Sequence, residues 1–336
     1  MIQEHVMEMQ AAVEFELERM VNETTGDDFP ELRSMLRYHL GWEGEGSGPE
    51  AQGKRVRPML VLLAAEAAGG NWAKALPAAA AVELIHNFSL IHDDIQDQSP
   101  LRRGRPTLWV KWGVAQAINA GDLMFTQAHL SLLNLNGLIP AEDVIQASQV
   151  MHETCVLLTK GQFLDLWNET EKSIPIESYW PMVGGKTAAL LSCCTELGAI
   201  VAGTDSERIK SFREFGYKLG LAFQVQDDWL GIWGNSNQTG KSTDSDLVSG
   251  KKTLPVLYAI QQQKQFAQRW SDGPLQPSEV PDLARLLIEE GAQAYIEQVA
   301  DQLTNEALNA LEQGLISPDS GAALRNLSIK LLGRKS

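Results

Sequence analysis

Two acidic clusters stand out in this chain of 336 residues, at 92–97 (HDDIQD) and at 226–231 (QDDWLG). Each follows a long apolar stretch with helical periodicity, where solvent-exposed charges are not expected. Residues four apart share one face of a helix, so Asp93 and Asp97 project side by side. Two carboxylates held in this way repel each other unless a cation lies between them. They suit Mg²⁺, which takes one or two carboxylates and completes its shell with water and substrate phosphates.

The two clusters differ at their last position, where Gly231 replaces the carboxylate that Asp97 supplies in the first. Together they predict a polynuclear magnesium site that holds a diphosphate, with a weaker ligand set on the second side. For one such cluster alone, a solvated helix end is the alternative interpretation.

Basic residues concentrate in two segments, 53–58 (GKRVRP) and 101–106 (LRRGRP), the second of which follows the first acidic cluster directly. The chain as a whole carries a net charge of −15, so this local positive charge indicates an anionic ligand. Arginine forms forked hydrogen bonds to phosphate oxygens and lysine provides a compact point charge. Both segments are therefore predicted to bind diphosphate, with surface salt bridges as the alternative.

Three further polar residues, Lys186, Thr187 and Gln224, lie before the second acidic cluster in the sequence. Lys186 and Thr187 follow Gly185 at a predicted helix start, where backbone N–H groups and the helix dipole favour an anion. An N-cap role for Thr187 is the alternative. Gln224 lies one helical turn before Asp227 and shares its face.

Composition excludes several classes of partner. The negative net charge argues against nucleic acid or an anionic bilayer. The three cysteines have no metal-binding spacing, so we expect no disulfide framework, a reducing compartment and a cytoplasmic location. The polar, acidic N-terminus is unlike a secretory signal. No membrane span is expected, because Glu66, Glu83 and Glu196 interrupt the most apolar stretches.

Helical periodicity dominates the chain and strand-like alternation is scarce, so we predict an all-α fold. The expected architecture is one helical-bundle domain over residues 1–336, in which 1–45 form an N-terminal helical extension. The predicted helices cover 3–24, 29–40, 55–69, 74–97, 108–135, 141–170, 186–202, 206–232, 252–268, 280–312 and 318–333.

The motifs and their order are similar to those of the trans-isoprenyl diphosphate synthase family. In this order the chain contains GKRVRP, HNFSLIHDDIQD, RRGRPT, GQFLDL, GGKTA, FQVQDDWLG and GKSTDSDLVSGKKTLP. The resemblance covers about residues 53 to 256. It implies an isoprenoid synthase fold with a central active-site cavity, a homodimer and three Mg²⁺ ions. It also implies condensation of isopentenyl diphosphate with an allylic diphosphate.

The resemblance assigns expected roles to individual residues. Asp93, Asp97 and Asp227 would coordinate Mg²⁺, with Asp94 and Asp228 supporting them. The diphosphate of the allylic substrate would be bound by Arg102, Lys186 and Lys241. The diphosphate of isopentenyl diphosphate would be bound by Lys54, Arg57, His86 and Arg103. Thr187 and Gln224 would stabilise the positive charge on the reacting carbon, and Gln162 and Asp165 would be further polar groups of the site.

Residues just before the first aspartate form the floor of the product tunnel in this family, and here they are Phe88 and Ser89. A helix rises about 1.5 Å per residue, so the Phe88 ring is expected roughly one and a half turns below the metals. A ring at this depth predicts a short-chain product. Short-chain bacterial farnesyl-type enzymes usually carry two extra residues in the first motif, which this chain lacks, so geranylgeranyl diphosphate is preferred over farnesyl diphosphate.

Three alternatives remain open at the level of sequence. A class I terpene cyclase or a head-to-head condensing synthase of the squalene type would not need the second diphosphate clamp. A non-catalytic partner subunit would typically lose aspartates from the first motif, and this chain keeps all three.

Overall fold

The computed structural model describes residues 2–234, 245–316 and 321–333 of the chain. Its α-helices are α1 (Ile2–Thr25), α2 (Pro30–His39), α3 (Pro49–Gln52), α4 (Val56–Ala67), α5 (Leu76–Gln96), α6 (Leu108–Trp112), α7 (Val114–Leu133), α8 (Ala141–Thr170), α9 (Tyr179–Val183), α10 (Ala189–Ala202), α11 (Ser206–Trp233), α12 (Ser245–Val248), α13 (Leu254–Gln262), α14 (Gln265–Ser271), α15 (Val280–Glu289), α16 (Ala292–Gly314) and α17 (Ala322–Leu332). The prediction of an all-α fold is confirmed.

Several predicted helices are divided in the structure at residues with positive φ. Gly113, with φ of 82°, separates α6 from α7, and Gly291, with φ of 92°, separates α15 from α16. Gln263 ends α13 with φ of 55°. A right-handed helix cannot continue through such a residue, and glycine adopts this conformation at little cost. The apolar periodicity runs across these points, which is why the sequence predicted single helices there.

One β-hairpin was not predicted. Strands β1 (Leu101–Arg102) and β2 (Arg105–Pro106) pair antiparallel, and they are the only strands in the part of the chain that the structure describes. Arg103 and Gly104 form the turn with φ of 52° and 74°. Two consecutive positive φ values are typical of a type I′ turn, whose twist matches that of paired strands.

The contacts divide the chain into two compact units. The first unit consists of Met1–Met151, Cys193–Lys210 and Gly314–Leu324. In it, helix α5, whose residues 77–85 are all buried, packs against α7, α4 and α1. The predicted N-terminal extension, residues 1–45, contains α1 and α2, and these helices pack within the first unit. That residues 1–336 form one domain stays a prediction.

The second unit consists of His152–Ser192, Ser211–Gln313 and Arg325–Ser336. One of its apolar clusters is built from α11 to α16, where Ile232, Leu247 and Val256 pack with Phe266 and Leu287. Burial of this side-chain area drives the packing of the short helices α12 to α15, because each of these four is too short to be stable alone.

One helical stretch among the described residues, Ile176–Ala202, is long and apolar enough to cross a membrane. This differs from the expectation that the chain has no segment of that length and composition. The most apolar window of this stretch is 83% buried inside the protein. Core helices of globular proteins have the same character, so this stretch is weak evidence for a span.

Candidate active site

The first acidic cluster lies at the C-terminal end of α5. Asp93 is half-buried in the last turn, and Asp97 is the exposed C-cap residue, whose N–H donates to the Asp93 carbonyl at 2.8 Å. The helix therefore continues far enough to place both carboxylates on one side of its end, as the spacing predicted. The apolar packing of α5 fixes this end.

Asp94, the middle residue of the cluster, is buried and bound to Arg102. Arg102 Nε donates to both carboxylate oxygens at 2.9 Å, and Arg102 Nη2 lies 2.8 Å from Oδ1. Burial raises the pKa of Asp94, and the Arg102 guanidinium opposes this shift. Asp94 thus orients Arg102 from the hairpin toward the end of α5, which fits its expected supporting role.

The two basic segments do not act as uniform clamps. Arg55 is buried and donates to Glu14, Glu83 and the Leu40 carbonyl, so its charge is used inside the first unit. Arg105 is also buried. It donates to the backbone carbonyls of residues 38, 43 and 45, and its guanidinium stacks 3.9 Å from the Tyr38 ring. Arg55 and Arg105, which were not among the residues assigned to diphosphate, therefore serve inside the first unit, because buried charges must be paired internally.

Arg103 is held by the backbone of the loop before α4. Its Nη1 donates to the carbonyls of Ala51 and Gln52 at 2.7 and 2.8 Å. A Cβ on Gly53 would lie only 2.6 to 2.9 Å from the Arg103 guanidinium, so glycine is needed for this approach. Burial lowers the pKa of Arg103, and nearby cations lower it further. Lys54, next to this contact, is exposed.

Arg57 and His86 form a pair on α4 and α5. Arg57 Nη1 donates to His86 Nε2 at 3.1 Å. Burial, assisted by the charge of Arg57, holds the pKa of His86 well below its usual value, so the imidazole is neutral and accepts this bond. Arg57 Nε is buried and has no hydrogen-bond partner among the described residues. Burial also lowers the pKa of Arg57.

His39 was not predicted from sequence, and it lines a cleft of about 350 Å³ with Asp94, Arg102 and Arg103. Its Nε2 is buried without a partner among the described residues. Burial lowers the pKa of His39 to about 3, and the charges of the neighbouring arginines contribute. His39 lies in an amphipathic helix, and nothing in the surrounding sequence indicates that it lines this cleft.

We expect this histidine to make the protein acid-sensitive. The unfolded chain binds a proton at His39 below about pH 6.5 and the native protein does not, so acidification favours unfolding. Above pH 6.5 the group has no effect. Between pH 6.5 and 4.5, wild type should lose about 1.4 kcal/mol per pH unit more than a His39→Gln variant. Urea titrations at several pH values test this, with exposed His152→Gln as the control. Parallel pH profiles for wild type and His39→Gln would contradict the expectation.

Phe88 and Ser89 precede the metal-binding end of α5. The Phe88 ring lies 4.8 Å from the His92 ring and 5.0 Å from the Phe125 ring of α7, measured between centroids. The Ser89 hydroxyl donates to the His86 carbonyl at 2.8 Å. Phe88 therefore belongs to an aromatic group between α5 and α7, and Ser89 turns its hydroxyl back to the helix.

In the second unit, two glycines bring α8 against the segment that carries Lys186. A Cβ on Gly161 would lie 2.1 Å from the backbone nitrogen of Lys186, and a Cβ on Gly185 would lie 2.8 Å from Gly161 Cα. This approach sets Lys186 Nζ in an ion pair with the Asp165 carboxylate. Asp165 thus positions Lys186. Gln162, one turn earlier on α8, is half-buried.

Lys186 and Thr187 do not lie at a helix N-terminus. The segment Gly184–Ala188 is a π-helical turn between α9 and α10. The predicted anion site at exposed backbone N–H groups is therefore wrong, because the helix begins well before these residues. π-helical turns are rare and occur frequently at functional sites, where they redirect side chains.

A chain of hydrogen bonds connects Thr187 to the second acidic cluster. The Thr187 hydroxyl donates to Gln224 Oε1 at 2.9 Å, and Gln224 Nε2 donates to Asp228 Oδ1 at 3.0 Å. Asp228 Oδ2 accepts from the Tyr179 hydroxyl at 2.8 Å and from the Leu254 N–H at 3.0 Å. Burial raises the pKa of Asp228 to about 6, although these donors oppose the shift. Asp228 is an anchor for Gln224 and Thr187.

Asp227 is half-buried on the same turn of α11, and the Tyr179, Lys186 and Asp228 side chains line a cleft of about 560 Å³ within the second unit. Lys251 and Lys252 line it too and were not predicted as site residues. The signal was present in the final motif, in which GKKT follows the acidic residues. Lys241, predicted to bind diphosphate, lies outside the described residues.

The carboxylates of the two clusters suit an open magnesium site. Within residues 2–234, 245–316 and 321–333, no group of three Asp, Glu, His or Cys side chains forms a closed metal site. Mg²⁺ does not require one, since it binds through one or two carboxylates and keeps water and phosphate ligands. Asp93 with Asp97, and Asp227 separately, fit this open mode of binding.

The all-helical fold, the aspartate-rich helix ends and the buried cations define a class of enzymes that handle diphosphates. A family profile described as polyprenyl synthetase matches residues 48–287. The chain therefore belongs to the polyprenyl synthetase family.

Among curated relatives, a geranylgeranyl diphosphate synthase of Mycobacterium tuberculosis is 38% identical over 86% of this chain and 83% of its own length. A (2E,6E)-farnesyl diphosphate synthase of Mycobacterium bovis is 43% identical, and the matched segment covers 69% of this chain and 64% of that relative. These relatives identify the chain as a trans-prenyltransferase of short-chain type.

Solved structures agree. The geranylgeranyl pyrophosphate synthetase of Pyrococcus horikoshii superposes with a TM-score of 0.89 at 33% identity, covering 99% of this chain and 98% of that one. The geranylgeranyl pyrophosphate synthase of Corynebacterium glutamicum, solved with isoprenyl diphosphate and magnesium, gives 0.83 at 27% identity, covering 97% and 99%. The predicted isoprenoid synthase fold is confirmed.

Proposed function

We propose that this trans-prenyltransferase condenses isopentenyl diphosphate with an allylic diphosphate in a Mg²⁺-dependent reaction whose preferred product is geranylgeranyl diphosphate. The observation that carries the proposal is the Arg57–His86 pair. Arg57 is a desolvated guanidinium with a buried Nε that no described residue binds. Such a group needs an anion, and a diphosphate supplies one.

The Arg57–His86 pair is separate from the aspartates of the first cluster, which are proposed to hold the allylic diphosphate through Mg²⁺. The pair can therefore bind the diphosphate of a second substrate. In the proposed reaction Lys54, Arg57, His86 and Arg103 hold isopentenyl diphosphate. A terpene cyclase has a single diphosphate substrate and would not need them. A non-catalytic partner subunit is less consistent with the intact first cluster, where Asp93, Asp94 and Asp97 are all present.

When bound, Mg²⁺ ions would neutralise the negative charge that develops on the leaving diphosphate, with Asp93 and Asp97 as protein ligands in the first cluster and Asp227 as the ligand of a further ion. Arg102, aligned by Asp94, and Lys186, aligned by Asp165, add positive charge for the same group. Lys241 is proposed to assist them.

The reacting carbon becomes positive as the diphosphate leaves. The Thr187 hydroxyl and the Gln224 amide oxygen offer dipoles to that carbon, and the anchoring of Gln224 by Asp228 fixes their orientation. The double bond of isopentenyl diphosphate attacks the carbon, and a proton is then lost to the departing diphosphate. The residues therefore need to supply charge and position rather than a separate base.

The direct test is to incubate the protein with Mg²⁺, isopentenyl diphosphate and each allylic primer in turn, and to measure product chain lengths. Elongation that stops when Mg²⁺ is chelated is the expected result. No elongation with any primer would refute the synthase proposal and favour the partner-subunit alternative.

Product length is proposed to depend on Phe88. Its ring packs against Phe125 and His92 and is proposed to block further growth of the prenyl chain. Replacing the ring with a methyl group removes most of this block. We expect Phe88→Ala to shift the products toward longer chains, measured by chromatography of the dephosphorylated prenols. Phe15→Ala, at an exposed ring on α1, is the matched control and should leave the product unchanged. An unchanged product from Phe88→Ala would show that this ring is not the floor.

A homodimer and a cytoplasmic location are also proposed. The homodimer is supported by the family resemblance, and several apolar side chains on α7 are exposed and available for such an association, among them Val114, Ile118 and Leu133. Sedimentation analysis would measure the oligomeric state. The location is supported by the cysteines, none of which forms a disulfide.

A further inference from the structure

The missing carboxylate of the second acidic cluster has a replacement nearby in space. Gly231 lies on α11, one turn after Asp227. A Cβ built on Gly231 would lie 2.1 Å from Asp246 Oδ2 and 3.0 Å from Asp246 Cγ. Real Cβ atoms do not approach so closely, so the Asp246 carboxylate occupies the space that a side chain at position 231 would need.

Packing holds Asp246 in this place. Asp246 belongs to the short helix α12, and the next residue, Leu247, is fully buried. Leu247 shares its apolar cluster with Ile232, which directly follows Gly231. The two neighbouring core residues therefore fix the register between α11 and α12, and with it the approach of Asp246 to Gly231.

The Asp246 carboxylate and the aspartates of the second cluster act on one shared cation, Lys251. Burial alone would lower the pKa of Lys251, yet the carboxylates of Asp165, Asp228, Asp246 and Asp227 raise it above its ordinary value. Asp246 thus acts on the same ammonium group as both aspartates of the second cluster. The Lys251 N–H also donates to the Asp246 carbonyl at 3.0 Å, which joins the two residues through the backbone.

We propose that Asp246 supplies the third carboxylate of the second acidic cluster, in the place that Gly231 leaves open, and that it supports the Mg²⁺ held by Asp227. The inference rests on the proposed function. In this view Gly231 is a compensated substitution, because the carboxylate comes from a different helix and from a position 15 residues later in the sequence.

The geometry provides a way to move the carboxylate back. The Cβ atom of Asp246 would lie 3.7 Å from a Cβ at position 231, which is ordinary van der Waals contact. An aspartate at 231 therefore fits once the carboxylate at 246 is removed. The single change Gly231→Asp should force the Asp246 carboxylate to rotate away, whereas the double variant Gly231→Asp/Asp246→Ala should fold and carry the carboxylate on α11.

The experiment measures Mn²⁺ binding by electron paramagnetic resonance in the presence of an unreactive allylic thiolodiphosphate. Asp246→Asn and Asp246→Ala are each expected to weaken one class of Mn²⁺ site by about 10- to 100-fold, the range seen when supporting groups of a metal site are removed. The double variant is expected to recover most of this affinity. Asp282→Asn, an exposed carboxylate on α15, is the control and should bind as wild type does.

Unchanged Mn²⁺ affinity in Asp246→Asn would overturn the inference and leave Asp246 as a partner of Lys251 only. So would a folded double variant that does not recover. Asp246→Asn keeps the shape of the side chain, so the test does not depend on folding of the other variants. A wild-type protein that neither binds Mn²⁺ with the analogue nor elongates any primer would instead refute the proposed function itself.

Discussion

An Asp93→Asn protein is expected to lose on the order of 1000-fold in kcat/KM while remaining as stable as wild type. Asparagine has nearly the shape of aspartate, so the end of α5 should be preserved. The change removes one negative charge from a half-buried position in the first cluster. A magnesium ion that neutralises the leaving diphosphate would then be held by fewer carboxylates, and its contribution is several kcal/mol of barrier lowering.

Steady-state elongation at increasing Mg²⁺ concentration measures this effect. We expect the activity of Asp93→Asn to recover partly at high Mg²⁺, because weaker binding is offset by mass action. Asp143→Asn, at a half-buried carboxylate in the first turn of α8, is the matched control and should behave as wild type. Full activity of Asp93→Asn at low Mg²⁺ would mean that this aspartate is not a ligand.

The sequence was sufficient to predict the helices and the order of the motifs, because both depend on local patterns. The apolar periodicity of α5 and α11 and the i, i+4 spacing of Asp93 and Asp97 are such patterns. Interruptions of helices by Gly113 and Gly291 were missed, since a glycine within an apolar period does not reveal its φ.

The partners of the site residues could not be predicted, because they depend on contacts distant in sequence. Asp165 meets Lys186 only because Gly161 and Gly185 let two backbones approach. The sequence predicted a supporting role for Asp228 but not its partners, and its buried carboxylate receives three hydrogen bonds. Two of those donors, Tyr179 and Leu254, lie 49 and 26 residues away in the chain.

The basic segments illustrate the same limit. Composition alone could not separate Arg55, which is used inside the first unit, from Arg57, which keeps a buried Nε available for an anion. Arg55 has φ of 45° and precedes α4, so its side chain leaves the chain in a different direction from that of Arg57. The backbone conformation decides which cation is structural.

The structural role of Arg55 leads to the largest expected effect on stability. Arg55 and Glu83 are 6% and 3% exposed, and Arg55 Nη1 donates to Glu83 Oε1 at 2.9 Å. Glu83 Oε1 also accepts from Asn87 Nδ2 at 3.0 Å, and Glu14 accepts from Arg55 Nε at 2.6 Å. Burial would lower the pKa of Arg55, but the charges of Glu83 and Glu14 raise it, so the guanidinium depends on both carboxylates.

We therefore expect Glu83→Gln to lower the free energy of unfolding by about 3–5 kcal/mol, because one partner of a buried ion pair is lost and the other charge stays desolvated. Urea unfolding followed by circular dichroism measures the change. Glu289→Gln removes one of the two acidic partners of exposed Arg285 and is the matched control, with an expected effect below about 1 kcal/mol. The double variant Arg55→Met/Glu83→Gln should recover part of the loss, since no unpaired charge remains buried. If Glu83→Gln unfolds at the same urea concentration as Glu289→Gln, Glu14 alone is sufficient to compensate the buried charge of Arg55.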